Sequence, residues 1–199
     1  MWDERFAEPD HAYGTEPNDF LVECRDRLTP GACLCLAEGQ GRNAVWLAGQ
    51  GFEVTAIDQS AVGLGRARDL AVARGVAIQT QVADLCDFDM GGELWDTIVS
   101  IFAHLPPAIR RNVHQRAVEA LKPGGTLCFE AYSPAKFDHP GKGGPPRDQA
   151  DRLVPLDELK QDFAGLSFDV AREIVREVNE GTYHTGQSAV IQILARKTG

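Results

Sequence analysis

The sequence has no run of lysines and arginines, and acidic side chains outnumber basic ones by 29 to 20 for a formal net charge of −9. A protein that tracks a phosphate backbone needs a positive stripe, so no nucleic-acid partner is expected. The same acidity disfavours an anionic membrane surface. No apolar run reaches the roughly 20 residues that a bilayer crossing requires, so no membrane partner is expected either. The first ten residues, MWDERFAEPD, lack the basic region and apolar core of a secretory leader. A location in the cytoplasm is expected. Metal-ligand spacing is absent too. Cys33-x-Cys35 comes nearest to it, but no second pair follows, and alternate residues of one strand pack as small hydrophobes. With Cys24, Cys86 and Cys128 the cysteine count is five, an odd number that suits a reducing compartment.

What is present suits one globular domain over 1–199. The 43% hydrophobic content is enough for one sizeable core. Strand-like and helical patterns alternate: an apolar run at 32–37, a helix at 43–49, a strand at 53–57, then a helix to about 74 with Ser60 as its N-cap and Gly75 at its end. A strand at 76–82 and another at 97–102 follow. Pro106-Pro107 opens a helix striped by Ile109, Val113, Ala117, Ala120 and Leu121, and Lys122-Pro123-Gly124-Gly125 breaks it before a strand at 126–131. Such alternation predicts a parallel sheet covered on both faces. The chain then changes character: 168–178 and 189–195, joined across Asn179-Glu180-Gly181, read as an antiparallel hairpin. Between the two parts, 137–151 has no period and is crowded with Gly, Pro and charge. It reads either as a surface loop or as a mobile lid, within a segment spanning 136–155.

Chemistry concentrates where strands end. Glu38-Gly39-Gln40-Gly41 follows the first strand, and two glycines there let a ligand approach the backbone without meeting a Cβ atom. Gly39-x-Gly41-x-x-Ala44 also fits the dinucleotide fingerprint, with Asp58 placed for a ribose, which leaves an NAD-dependent oxidoreductase open. Glu38 argues against it, because a carboxylate beside a pyrophosphate is repelled, whereas an ammonium or sulfonium is attracted. Asp58 and Asp84 end the next two strands, positioned for ribose hydroxyls and for an adenine edge beside the Leu85 amide. For Asp84 alone, a turn or cap role is the competing reading.

These residues resemble AdoMet-dependent methyltransferases of class I, in the form seen in the tellurite-resistance and thiopurine-type groups. Leu36 to Ala44 is similar to their first motif. Tyr13-Gly14-Thr15-Glu16-Pro17-Asn18 is similar to their entry segment, within an N-terminal cap over 1–30. Trp95-Asp96 to Phe102 resembles the fourth motif, and Leu121 to Gly125 the turn after the helix. The resemblance implies a Rossmann-like, mostly parallel seven-stranded sheet with a C-terminal antiparallel hairpin, S-adenosylmethionine as cofactor and S-adenosylhomocysteine as product. It implies cofactor contacts from Tyr13, Glu38, Gly39, Gly41, Arg42, Asp58, Gln59, Asp84 and Leu85, with Ser100, Ile101 and Phe102 as the floor. A small-molecule acceptor with a soft nucleophile (a thiol, selenium or tellurium species) is expected, in a monomer or weak homodimer. A binding module without turnover is the other alternative. His184 matches the family's hairpin histidine and His104 follows the fourth strand, and these two are the candidate catalytic residues. An Arg often follows that hairpin histidine in the tellurite-resistance group. Thr185 stands there instead, which argues against tellurite itself.

Overall fold

The computed structural model describes residues 2–8 and 10–199. Seven strands, β1 (Ala32–Leu36), β2 (Glu53–Asp58), β3 (Gln79–Val82), β4 (Trp95–Ile101), β5 (Leu121–Tyr132), β6 (Leu166–Glu180) and β7 (His184–Lys197), form one sheet. Their order is β3-β2-β1-β4-β5-β7-β6. The pairs from β3 to β5 are parallel, and β7 runs antiparallel to both β5 and β6. The expected Rossmann-like sheet with a terminal hairpin is what the chain forms.

The apolar runs predict strands buried on both faces, and β1 shows why. Leu34 and Leu36 face a core shared with Val113, Ala117 and Ala120 of helix α5 (Pro107–Ala120). Cys33 and Cys35 face the opposite core. There they meet Phe20 and Leu21 of α2 (Asp19–Cys24) and Leu47 of α3 (Arg42–Gly49), with Leu64 of α4 (Ala61–Ala73) beyond. Both cysteines are free, as are Cys24, Cys86 and Cys128. Ser60 caps α4 by accepting from the Gly63 N–H at 3.0 Å, and Gly75 follows that helix at φ +68°.

Several bounds differ from the sequence reading. The hairpin strands are longer than expected, and β7 begins at His184, because the turn occupies only residues 181–183. Lys122 to Gly125 lies inside β5, where a register shift opposite Trp95 and Thr97 absorbs it. Three short helices escaped the pattern: α1 (Trp2–Phe6), α2 and α6 (Leu156–Asp162). Segment 137–151 is not featureless. It holds parts of two 3-10 turns, Pro134–Asp138 and Arg147–Arg152, and an isolated bridge pairs Lys142 with Thr185.

The chain leaves β1 toward β2 and leaves β4 toward β5. Loops at the carboxyl ends of β1 and β4 therefore diverge and open a crevice, the usual ligand position in such sheets.

Candidate active site

A cavity of about 800 Å³ fills that crevice, within the range of small-molecule and cofactor sites. Its walls come from the ends of β1 to β4, from α1, from the 144–152 region and from the start of β7.

Two carboxylates, Glu38 within the first loop and Asp58 at the end of β2, hold that loop. Glu38 Oε1 accepts the N–H groups of Asn43 at 3.0 Å and Ala44 at 2.8 Å, capping α3 from outside because Gly41 at the N-cap has no side chain to do so. The half-buried Glu38 side chain lines the cavity, and desolvation by burial pushes its carboxyl up to about 7. The opposing pulls of the Ala44 N–H and the Arg42 guanidinium are smaller. Gly39 and Gly41 have φ +62° and +88°, and a Cβ on Gly41 would stand 2.5 Å from the Ala67 Cβ. Asp58 accepts from the Gly39 N–H and the Ser60 N–H, both at 2.8 Å. Burial raises its carboxyl above the ordinary value against these bonds, and nearby Asp3 adds to the rise.

Of the sequence-predicted residues, Tyr13, Glu38, Gly39, Gly41, Arg42, Asp58, Gln59, Asp84, Leu85, Ile101, Phe102, His104 and His184 all line this cavity. Ser100 does not line it. It is buried within β4, and the floor positions belong to Ile101, Phe102 and Ala103. Asp84 lines the cavity and also makes the alternative turn contact, accepting from the Cys86 N–H at 2.8 Å. Arg42 turns its guanidinium away into an ion pair with Glu180, part of a buried network with Asn18, Glu130 and Arg176.

The two histidines part company. The His104 Nδ1 lies 3.0 Å from the Phe102 carbonyl, and its Nε2 accepts the Tyr132 N–H at 3.0 Å. Both nitrogens are engaged by backbone in one neutral tautomer, and burial lowers the ring to about 4. In this arrangement His104, a catalytic candidate from sequence, has no lone pair left for a substrate. His184 instead has its Nδ1 buried without a partner. Its ring stands 4.5 Å from Tyr13, 4.7 Å from Phe102 and 5.3 Å from Tyr132, centroid to centroid. Burial among these rings, reinforced by Arg42, holds its pKa well below the ordinary value.

Sequence reasoning missed the wall made by α1. Trp2, Asp3, Arg5 and Phe6 line the cavity, and a Cβ on Gly39 or Gly63 would strike the Phe6 ring at 2.9 and 2.8 Å. It also missed Gln149 and Arg152. Ala37 and Phe102, which directly follow β1 and β4 with φ of +50° and +55°, carry no glycine to announce their left-handed backbone.

Sheet order, diverging first loop and acidic strand ends define a class I methyltransferase fold. Residues 33–125 match the family model described as a methyltransferase domain. Residues 33–125 thus form a methyltransferase domain, in a chain with the Rossmann-like methyltransferase fold. A solved structure described as the conversion of a disulfide bond into a thioacetal group during echinomycin biosynthesis is 22% identical, with a TM-score of 0.76 over 98% of this chain and 88% of that one. TehB from Haemophilus influenzae is also 22% identical, with a TM-score of 0.75 over 91% of this chain and 62% of that one. A SAM-dependent methyltransferase from Methanosarcina mazei is 15% identical, with a TM-score of 0.72 over 92% of this chain and 99% of that one. No curated protein matches the chain in sequence.

Proposed function

We propose that the chain methylates a soft nucleophile (a thiol, or a selenium or tellurium species) on a small molecule. The observation that carries this reading is His184, a weak base with a free nitrogen in a wall of aromatic rings. An alcohol acceptor needs a strong base beside it, and a base held below its ordinary pKa is poor at that work. A thiol ionises with a pKa near 8.5, so it needs mainly alignment and exclusion of water. Rings supply both.

The residues present fit the cofactor. The first loop gives close backbone approach at Gly39 and Gly41, and Asp58 retains acceptor capacity for ribose hydroxyls. Asp84 and the Leu85 amide would take the adenine edge. Gln40 has its Oε1 fixed by the Ala12 N–H at 2.8 Å, which leaves its buried Nε2 without a partner and free to donate to the methionine carboxylate. Glu38 would face the methionine ammonium, and Tyr13 would cover that end. AdoMet, when bound, supplies an electrophilic methyl group with a neutral thioether as leaving group. The chain's part is to orient the acceptor, keep water away and receive its proton at His184.

The segment 137–151 reads as the lid over the acceptor, since Gly144, Pro145, Pro146 and Gln149 line the cavity. Proteolysis within it should slow when both ligands are present, and equal rates would remove the lid role.

The acceptor class is tested with labelled AdoMet and matched pairs of thiol and alcohol. The thiol should be methylated and its alcohol analogue should not. Equal turnover on both would overturn the soft-nucleophile reading.

A further inference from the structure

Charge is sorted along this cavity. Four carboxylates line it, Asp3, Glu38, Asp58 and Asp84, and all lie at the end formed by α1 and the loops after β1, β2 and β3. The opposite wall, from residues 103–109 and 144–152 to His184, contributes no carboxylate among the described lining residues. It contributes a guanidinium, Arg152.

Three arginines line the cavity, and two of them are engaged. Arg5 donates to the Tyr13 hydroxyl at 3.0 Å and lies over the Trp2 and Tyr183 rings. Arg42 pairs with Glu180. Arg152 has no hydrogen-bond or ion-pair partner among the described residues. Its charge acts on His104, which in turn borders His184, so Arg152 belongs to the same end as the orphaned His184 Nδ1. His184 is 7% exposed, and its unpartnered nitrogen is a second, independent sign that this end is built to receive a polar ligand. Apolar Leu105, Pro106 and Ile109 fill the space between the polar groups. A guanidinium whose fork is open beside apolar walls recognises a planar oxyanion.

We infer that the methyl acceptor is a small organic anion whose carboxylate is held by Arg152, at the end of the cavity opposite Asp58. This rests on the methyl-transfer reading for the identity of the site, and it adds a class to the acceptor: a thiol that also carries a carboxylate. The cationic cofactor meets the acidic end and the anionic acceptor the basic one, so each ligand is disfavoured at the other's place.

The test is a titration of the protein, saturated with S-adenosylhomocysteine, with 3-mercaptopropionate and with 3-mercaptopropionamide. The acid should bind more tightly by about 10- to 100-fold, the range of a charge-assisted hydrogen bond. Arg152→Gln should abolish this preference, Arg152→Lys should keep part of it, and neither should change affinity for S-adenosylhomocysteine. An amide that binds as well as the acid, or a preference that survives in Arg152→Gln, would overturn the assignment. The same titrations without S-adenosylhomocysteine separate the two claims. Acid preference with no S-adenosylhomocysteine binding supports the anion site and overturns the methyl-transfer reading.

Discussion

The Gly39 N–H donates to the Asp58 carboxylate at 2.8 Å, tying the loop after β1 to the end of β2. One side chain therefore shapes the cofactor loop and faces the cavity. Asp58→Ala should weaken S-adenosylhomocysteine binding by about 2–4 kcal/mol, from the loss of two charge-assisted bonds discounted for water refilling the gap. That corresponds to roughly 30- to 1,000-fold in affinity. Calorimetry giving an unchanged affinity would remove Asp58 from the cofactor site.

Glu38 gives the site a pH dependence. Its carboxyl is pushed up to about 7 by burial, while Arg42, the Asn43 and Ala44 N–H groups and Asp58 face it. Between its ordinary value and 7 the folded chain binds more protons than the unfolded one at this group. Glu38 therefore makes the free protein less stable as pH rises through that window. A cationic ligand reverses the preference, because it favours the ionised carboxylate. AdoMet affinity should rise with pH, by up to about tenfold per unit below 7, and level off above it. Glu38→Gln should flatten the curve measured by calorimetry. A wild-type curve that is flat between about pH 5.5 and pH 8 would contradict the coupling.

The histidine pair separates structure from chemistry. His104→Ala leaves the buried Tyr132 N–H without its acceptor, which should cost about 1–3 kcal/mol in denaturant unfolding. His184→Ala should lower kcat/KM by roughly 10²-fold, the lower end of general-base effects, with AdoMet affinity unchanged. If His104→Ala unfolds as wild type, or His184→Ala keeps full turnover, the division of roles is wrong.

The fold was legible because its signals are local. Ser60, Gly75 and Pro107 mark helix ends by chemistry, and 32–37 reads as a doubly buried strand by composition alone. Most of the site was legible for a related reason: Glu38, Asp58 and Asp84 stand at or just beyond the ends of successive strands, so topology brings them together. What could not be read arises from contacts distant in sequence. Phe6 fits over Gly39 and Gly63 only once α4 has folded beside the loop. Arg152 reaches the cavity through a 3-10 turn that has no hydrophobic period. The two histidines look alike in sequence. Their difference lies in the Phe102 carbonyl and the Tyr132 N–H, which position 104 meets and position 184 does not.

The central claim is that a methyl group leaves AdoMet on this protein for a small soft acceptor. The most direct measurement incubates the protein with methyl-labelled AdoMet and a panel of small thiols, and follows label and S-adenosylhomocysteine by mass spectrometry. The account predicts a methyl thioether formed in equal amount to S-adenosylhomocysteine, with the carboxylate-bearing thiols leading. Bound AdoMet that stays intact with every acceptor, while S-adenosylhomocysteine binds normally, would contradict it and leave a binding module in its place.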